Sequence, residues 1–347
     1  VPVWGYAEIL STRTSGLQTG TVLYGFWPSS TLPIDLQLEP VEPKGHFIDT
    51  TPHRQTMWSY YHRYTLAPPK PDFTSPQLAA ELVFKPLFEC SHSLNAHVLG
   101  ALALHPSQPK SGQGGETPWP SHADFFSSTT VISLSASGKT ARAFTDAVLN
   151  ARQTPPQAFV AITSNPTSLT LPISPGSKIE TKVTSYATAL DGSSLPDFLT
   201  CLSSNGTRRP CERIIIVDFG ARDNSLPPLL SLLRSSLPPS VVLTVIGIGA
   251  EPTPASSYSF EKSMQGMAAV PERVQMNTSV VREQAIAAIG AEAYFQGVED
   301  GWKGFCGRGG CEEGVVEVEI GKGVEGFGDG WERLCSGKVG GGFAVVF

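Results

Sequence analysis

A chain of 347 residues with 40% hydrophobic content is long enough for about two domains with packed cores. Its net charge of −6 argues against a nucleic-acid binder, which would carry a basic face. No apolar run approaches the roughly 20 residues of a membrane span, so neither nucleic acid nor membrane is an expected partner.

The chain opens Val1-Pro2-Val3-Trp4, with no charged segment ahead of an apolar core. No secretory signal is expected there, and the front reads as lacking strands upstream of Val1. Residues 3–10 and 22–27 are β-rich runs with internal glycines, separated by the turn pairs Ser15-Gly16 and Thr19-Gly20. Residues 32–38 alternate apolar and polar, the pattern of a half-buried strand. After Arg54–Met57 the pattern turns helical through Trp58–Tyr64, and a second helix is predicted over 75–93 through Leu78, Leu82, Leu87 and Phe88. Residues 106–120, rich in Pro, Gly and Ser, read as a surface insertion.

From about residue 128 strands alternate with helices. The predicted strands are 130–135, 158–163, 182–186, 213–218 and 241–248, and runs such as Ile214-Ile215-Ile216-Val217 suit parallel strands buried on both faces. The fold class is therefore α/β, with a Rossmann-like doubly wound parallel sheet behind a β-rich front. A helix near 326–336 and a strand at 342–347 end the chain. Cys90, Cys201, Cys211, Cys306, Cys311 and Cys335 are scattered, which predicts reduced thiols in a cytoplasmic protein. Cys306 and Cys311 lack the second close pair a zinc knuckle needs, so no metal is expected.

Val131 to Thr140 carries the chemistry. A buried strand breaks into the small-residue turn Ser135-Ala136-Ser137-Gly138, and Lys139-Thr140 opens a helix. Such a turn presents backbone N–H groups and a helix N-terminus to a phosphate. Gly138-Lys139-Thr140 fit the end of a P-loop, but Ser133 stands where its first glycine belongs. Only Gly138 survives of the dinucleotide fingerprint G-x-G-x-x-G. Ser135, Ser137 and Thr140 offer hydroxyls, Gly138 permits close approach, and Lys139 adds a charge. Alternatively the serines only cap the helix and Lys139 is solvated.

Val1–Glu8, Gly25-Phe26-Trp27-Pro28, Pro52-His53-Arg54, Tyr60–Tyr64, Lys85–Phe88 and Ser135–Ala141 together resemble an uncharacterised, quinone-oxidoreductase-like branch of the medium-chain dehydrogenase/reductase superfamily. The resemblance implies a GroES-like β-rich domain at 1–95, a Rossmann-like domain at 96–260, and a segment 261–347 returning to the first domain, with the final strand, Phe343–Phe347, expected to pair with strands of that domain. It further implies a zinc-independent oxidoreductase acting on a small carbonyl or enone, and a homodimer is compatible with it. Asp218, at a strand end, would face the nicotinamide or cap the turn that follows. The second strand ends at Ser164-Asn165 without the acid that holds a ribose 2′-hydroxyl, which favours NADP(H), with Lys178 or Lys182 reaching the 2′-phosphate. Tyr60, Tyr64 and His53 are the candidate proton donors, His53-Arg54 joining an imidazole to a fixed cation. The competing reading of the tyrosines is core aromatics with a wet hydroxyl. Against the enzyme stand a repurposed relative that has lost hydride transfer and, on Gly138-Lys139-Thr140 alone, a P-loop ATPase.

Overall fold

The computed structural model describes residues 2–67, 72, 75–107, 128–192, 195, 198–199, 211–249, 270, 273–311, 318–336 and 342–346. The chain divides into two compact units, Val1–Glu89 with Arg282–Phe347, and Cys90–Val281.

The first unit is built on an antiparallel sheet of five strands, β1 (Pro2–Glu8), β2 (Val22–Pro28), β3 (Leu38–Val41), β4 (His46–Asp49) and β5 (Arg63–Leu66), ordered β1-β2-β5-β4-β3. Leu17, Leu23, Phe47 and Tyr64 form its core. A side chain on Gly25 of β2 would stand 2.2 Å from the Tyr64 ring, so that glycine is where strand and aromatic meet. Two predictions are corrected here. Residues 32–37 are not a strand; Pro33 brings no N–H to a ladder, and Leu32 and Ile34 stay exposed. The predicted helix over 58–64 is instead a 3-10 turn, Ser59–Tyr61, running into β5, and another 3-10 turn, Pro52–Thr56, precedes it. That run is aromatic-rich, and the pleat turns Tyr64 fully into the core.

Helix α1 (Pro76–Ser93) lies where the apolar spacing puts it and leads into a π-helical turn at Leu94–Val98. Residues 108–127, which hold most of the predicted insertion, lie outside the described residues.

The second unit holds six parallel strands, β6 (Thr129–Leu134), β7 (Ala158–Thr163), β8 (Glu180–Ser185), β9 (Arg213–Asp218), β10 (Val242–Gly247) and β11 (Arg273–Gln275). Their order is β11-β10-β9-β6-β7-β8. Counted from β6, this is the 3-2-1-4-5-6 order of doubly wound dinucleotide folds, with its switch point between β6 and β9. Both faces are covered. Phe144 and Val148 of α2 (Lys139–Asn150) join Leu94 and Val98 against one face. Leu226, Leu229 and Leu233 of a helix after β9 cover the other. The β7–β8 connection departs from expectation, holding a 3-10 turn at Pro166–Ser168 and no α-helix among its residues. Beyond β8 come the short helix α3 (Tyr186–Ala189) and, after β9, α4 (Leu226–Ser236).

Helices α5 (Thr278–Ile289) and α6 (Ala291–Gly307) follow, then β12 (Val318–Lys322), α7 (Gly323–Cys335) and β13 (Gly342–Val346). The expected pairing of the final strand with the front sheet is corrected. β13 runs parallel to β12 in a sheet of two strands, because α7 supplies the right-sized crossover between them. The expectation of reduced thiols is also corrected for one pair. Cys306 at the end of α6 and Cys311 form a disulfide, with Cα atoms 4.7 Å apart. The intervening Gly309, at φ +86°, lets the chain fold back. Among the described residues Cys90, Cys211 and Cys335 form no disulfide, while Cys201 lies outside the described residues. No helix among the described residues is long and apolar enough to cross a membrane.

Candidate functional site

All six residues of β6 are buried, so the chain must bend sharply to leave the sheet. Ser135 makes the bend with φ +53°, the left-handed region. The position that needs a glycine's freedom is thus Ser135, where a G-x-G-x-x-G fingerprint ending at Gly138 has its second glycine. Gly138 has φ −67° and needs no such freedom, although a side chain there would come within 3.3 Å of the Ser135 carbonyl oxygen. The Gly138 N–H donates to that same carbonyl at 2.9 Å, and the Ala136 N–H donates to Ile162 O at 3.0 Å.

Helix α2 starts at Lys139. No side chain caps it, so the serines do not have the capping role that was the competing reading. Among the described residues no capping side chain accepts from the N–H groups of its first turn, which stand at the positive end of the helix dipole. Ser137 instead accepts the Thr163 hydroxyl at 2.9 Å, and the Thr140 carbonyl accepts the Ser91 hydroxyl at 2.6 Å. Lys139 is half-buried, and burial alone lowers its ammonium pKa; among the described residues no acid pairs with it. A cation that is partly desolvated and lacks a counter-ion is suited to an incoming anion.

Asp218 ends β9 opposite Leu134 and is fully buried. Its Oδ1 accepts the N–H groups of Gly220 at 3.0 Å and Ala221 at 2.8 Å, and its Oδ2 lies 3.8 Å from Nε of the buried Arg273. Arg273 crosses Gly247, where an added Cβ would meet Nη2 at 2.0 Å. Asp218 therefore shapes the loop after β9, and the Ser135 hydroxyl donates to the Gly220 carbonyl of that loop. The two loops beside the switch point are tied together. Tyr186 was not among the predicted site residues, yet its hydroxyl sits over the same turn. It accepts the Ser135 N–H at 2.8 Å, and its Oη lies 3.0 Å from Ser135 Oγ. Burial raises its pKa, and hydrogen bonds from Ser135 and from the Arg222 backbone oppose the rise.

Ser135, Ser137, Gly138, Lys139, Thr140 and Asp218 thus gather at the C-terminal edge of the sheet, and Ser164 stands exposed just past β7. Lys178 does not join them. It precedes the first residue of β8, which pairs with the first residue of β7, so it lies at the N-terminal edge, about 20 Å of strand away. Lys182 is in mid-strand, its ammonium 5.5 Å over the Phe198 ring.

The proton-donor candidates belong to the first unit. Tyr64 is fully buried, its hydroxyl donating to Phe26 O at 3.0 Å and accepting from Arg54 Nη2 at 2.6 Å; burial pushes its pKa up to about 12. Tyr60 donates to Pro86 O at 2.8 Å and has the Arg282 guanidinium 4.1 Å over its ring, and burial holds its pKa well above the ordinary value. His53 is exposed on the first 3-10 turn. Its neighbour Arg54 is buried against Asp49 at 3.2 Å and also donates to Phe26 O, so it is a brace and not an open cation for a substrate carboxylate. A cavity of about 1260 Å³ in this unit, lined by Leu82, Val83, Ile320, Phe327, Trp331 and Phe343, contains none of these three candidates.

The strand order defines the second unit as a doubly wound α/β unit with a small-residue turn at its switch point. The chain belongs to the family described as "Protein of unknown function (DUF2855)", which matches residues 1–340. No curated protein matches significantly. Among solved structures it is similar to "The native structure of mycobacterial Rv1454c complexed with NADPH", at 13% identity and a TM-score of 0.42, covering 98% of this chain and 79% of that one.

Proposed function

We propose that the chain is a zinc-independent, NADP(H)-linked oxidoreductase of medium-chain reductase type, acting on a small carbonyl or enone, with the front sheet as its GroES-like half. The observation that carries the nucleotide reading is the uncapped start of α2 at the switch point, with Lys139 half-buried and without a counter-ion among the described residues. Lys139 and the first-turn N–H groups hold the diphosphate, and the tied loops of Ser135 and Gly220 fix where it lies. When bound, the dinucleotide supplies the hydride. The exposed Ser164 and Asn165 leave room for a 2′-phosphate that an acid would repel. Carbonyl chemistry, zinc independence and the GroES-like half rest on the family resemblance, since fold alone does not fix a reaction.

A calorimetric titration tests this reading: NADPH is expected to bind with micromolar affinity and more tightly than NADH. Equal or better NADH binding removes the 2′-phosphate argument, and binding of neither removes the oxidoreductase. A second reading, a nucleotide-binding protein without hydride transfer, is favoured by the engaged hydroxyls of Tyr60 and Tyr64. NADPH binding with no consumption across a panel of quinones and enones selects it.

A further inference from the structure

Tyr186 is the first residue of α3, reached from β8, two strands from β6 in the sheet. Its phenol crosses the end of β7 to the turn. There Ser135 Oγ gives its proton to the Gly220 carbonyl and is left to accept the phenol proton. The phenol oxygen in turn accepts the Ser135 N–H at 2.8 Å and a hydrogen bond from the Arg222 backbone. Two main-chain N–H groups, one from the loop after β6 and one from the loop after β9, therefore converge on a single oxygen. They come from the two strands that flank the switch point. The two donors are not consecutive in sequence, but N–H groups that converge on one point in this way, with Ser135 in the left-handed region, form a nest for an anion oxygen. A neutral phenol satisfies the donors, but a charged oxygen makes hydrogen bonds roughly twice as strong.

We infer that the Tyr186 hydroxyl is a displaceable stand-in for a phosphate oxygen: a diphosphate takes the N–H groups of Ser135 and Arg222, and the phenol swings out. The inference rests on the nucleotide reading for the identity of its ligand, although the nest itself recognises any phosphate. Tyr186 then sets affinity at the turn by competing with the ligand.

The test titrates NADPH and, separately, inorganic pyrophosphate into the full chain, its Tyr186→Phe variant and its Tyr186→Ala variant, with thermal melts to verify folding. Tyr186→Phe keeps the ring and removes only the competing oxygen, so it remains informative if Tyr186→Ala fails to fold. Both ligands are expected to bind about tenfold more tightly to Tyr186→Phe, equivalent to about 1.4 kcal/mol, the scale of one net hydrogen bond. Binding to the variant alone also supports displacement. Unchanged or weaker NADPH binding in the variant, with the native chain still binding, overturns displacement and leaves the nucleotide reading intact. A gain for pyrophosphate with no NADPH binding to any of the proteins upholds the nest and removes the nucleotide. Failure of both ligands with every variant overturns both.

Discussion

Beside the front sheet Arg54 gives its guanidinium to Asp49, Tyr64 and Phe26, whereas at the edge of the parallel sheet Lys139 stands half-buried with no acid beside it among the described residues. The two cations looked alike in the sequence, each next to a candidate ligand-binding residue. Arg54 answers a buried carboxylate, and the cluster it forms is closed. The turn is closed only by a neutral phenol and keeps a charge in reserve. A polar group that the fold has already satisfied is a structural element; one that the fold leaves waiting is where a ligand belongs.

The largest effect that tests this contrast is Arg54→Ala. It leaves Asp49 buried and uncompensated, and is expected to cost about 3–5 kcal/mol of stability in urea unfolding. A loss below 1 kcal/mol would break the contrast from the side of the front sheet.

Lys139→Ala is expected to do the opposite: unfolding is little changed, while NADPH affinity drops by about 1.5–3 kcal/mol, roughly ten- to hundredfold. Native-like affinity in this variant would return Lys139 to the role of a solvated helix residue. Gly25→Ala forces a methyl into the Tyr64 ring, and overpacking of this kind costs about 1–3 kcal/mol. Stability, measured by the same denaturation, should fall with no change in nucleotide binding.

The smallest effect is a pH slope. Burial, followed by the charges of Arg63 and Arg282, lowers the pKa of His46 to about 4 in the folded chain, against about 6.5 unfolded. Between those values the unfolded chain binds a proton that the folded chain refuses, so stability falls as pH drops from about 6.5 to 4. His46→Gln should flatten that part of the urea-midpoint curve. Curves of identical slope for the two proteins would show that His46 takes no part.

Much of the architecture was legible because its causes are local. The continuous apolar runs of β6, β7 and β9 marked parallel strands, and the small residues after Leu134 marked the turn. The aromatic run before Leu66 misled, because a helix and a strand both accept such residues and only the packing of Tyr64 against Phe47 chose between them. The site's limits were set by partners far apart in sequence. Tyr186 meets Ser135 across 51 positions, and Arg54 meets Phe26 across 28. Sequence alone determined the buried parallel strands β6, β7 and β9, the switch-point turn and the charge at its helix start, since periodicity and turn chemistry act over a few residues. The tertiary structure decided which charges and hydroxyls are already engaged, that Lys178 lies at the far edge, and that Tyr186 covers the turn. Those outcomes depend on sheet order and register, which bring distant residues within hydrogen-bond reach and which no local pattern encodes.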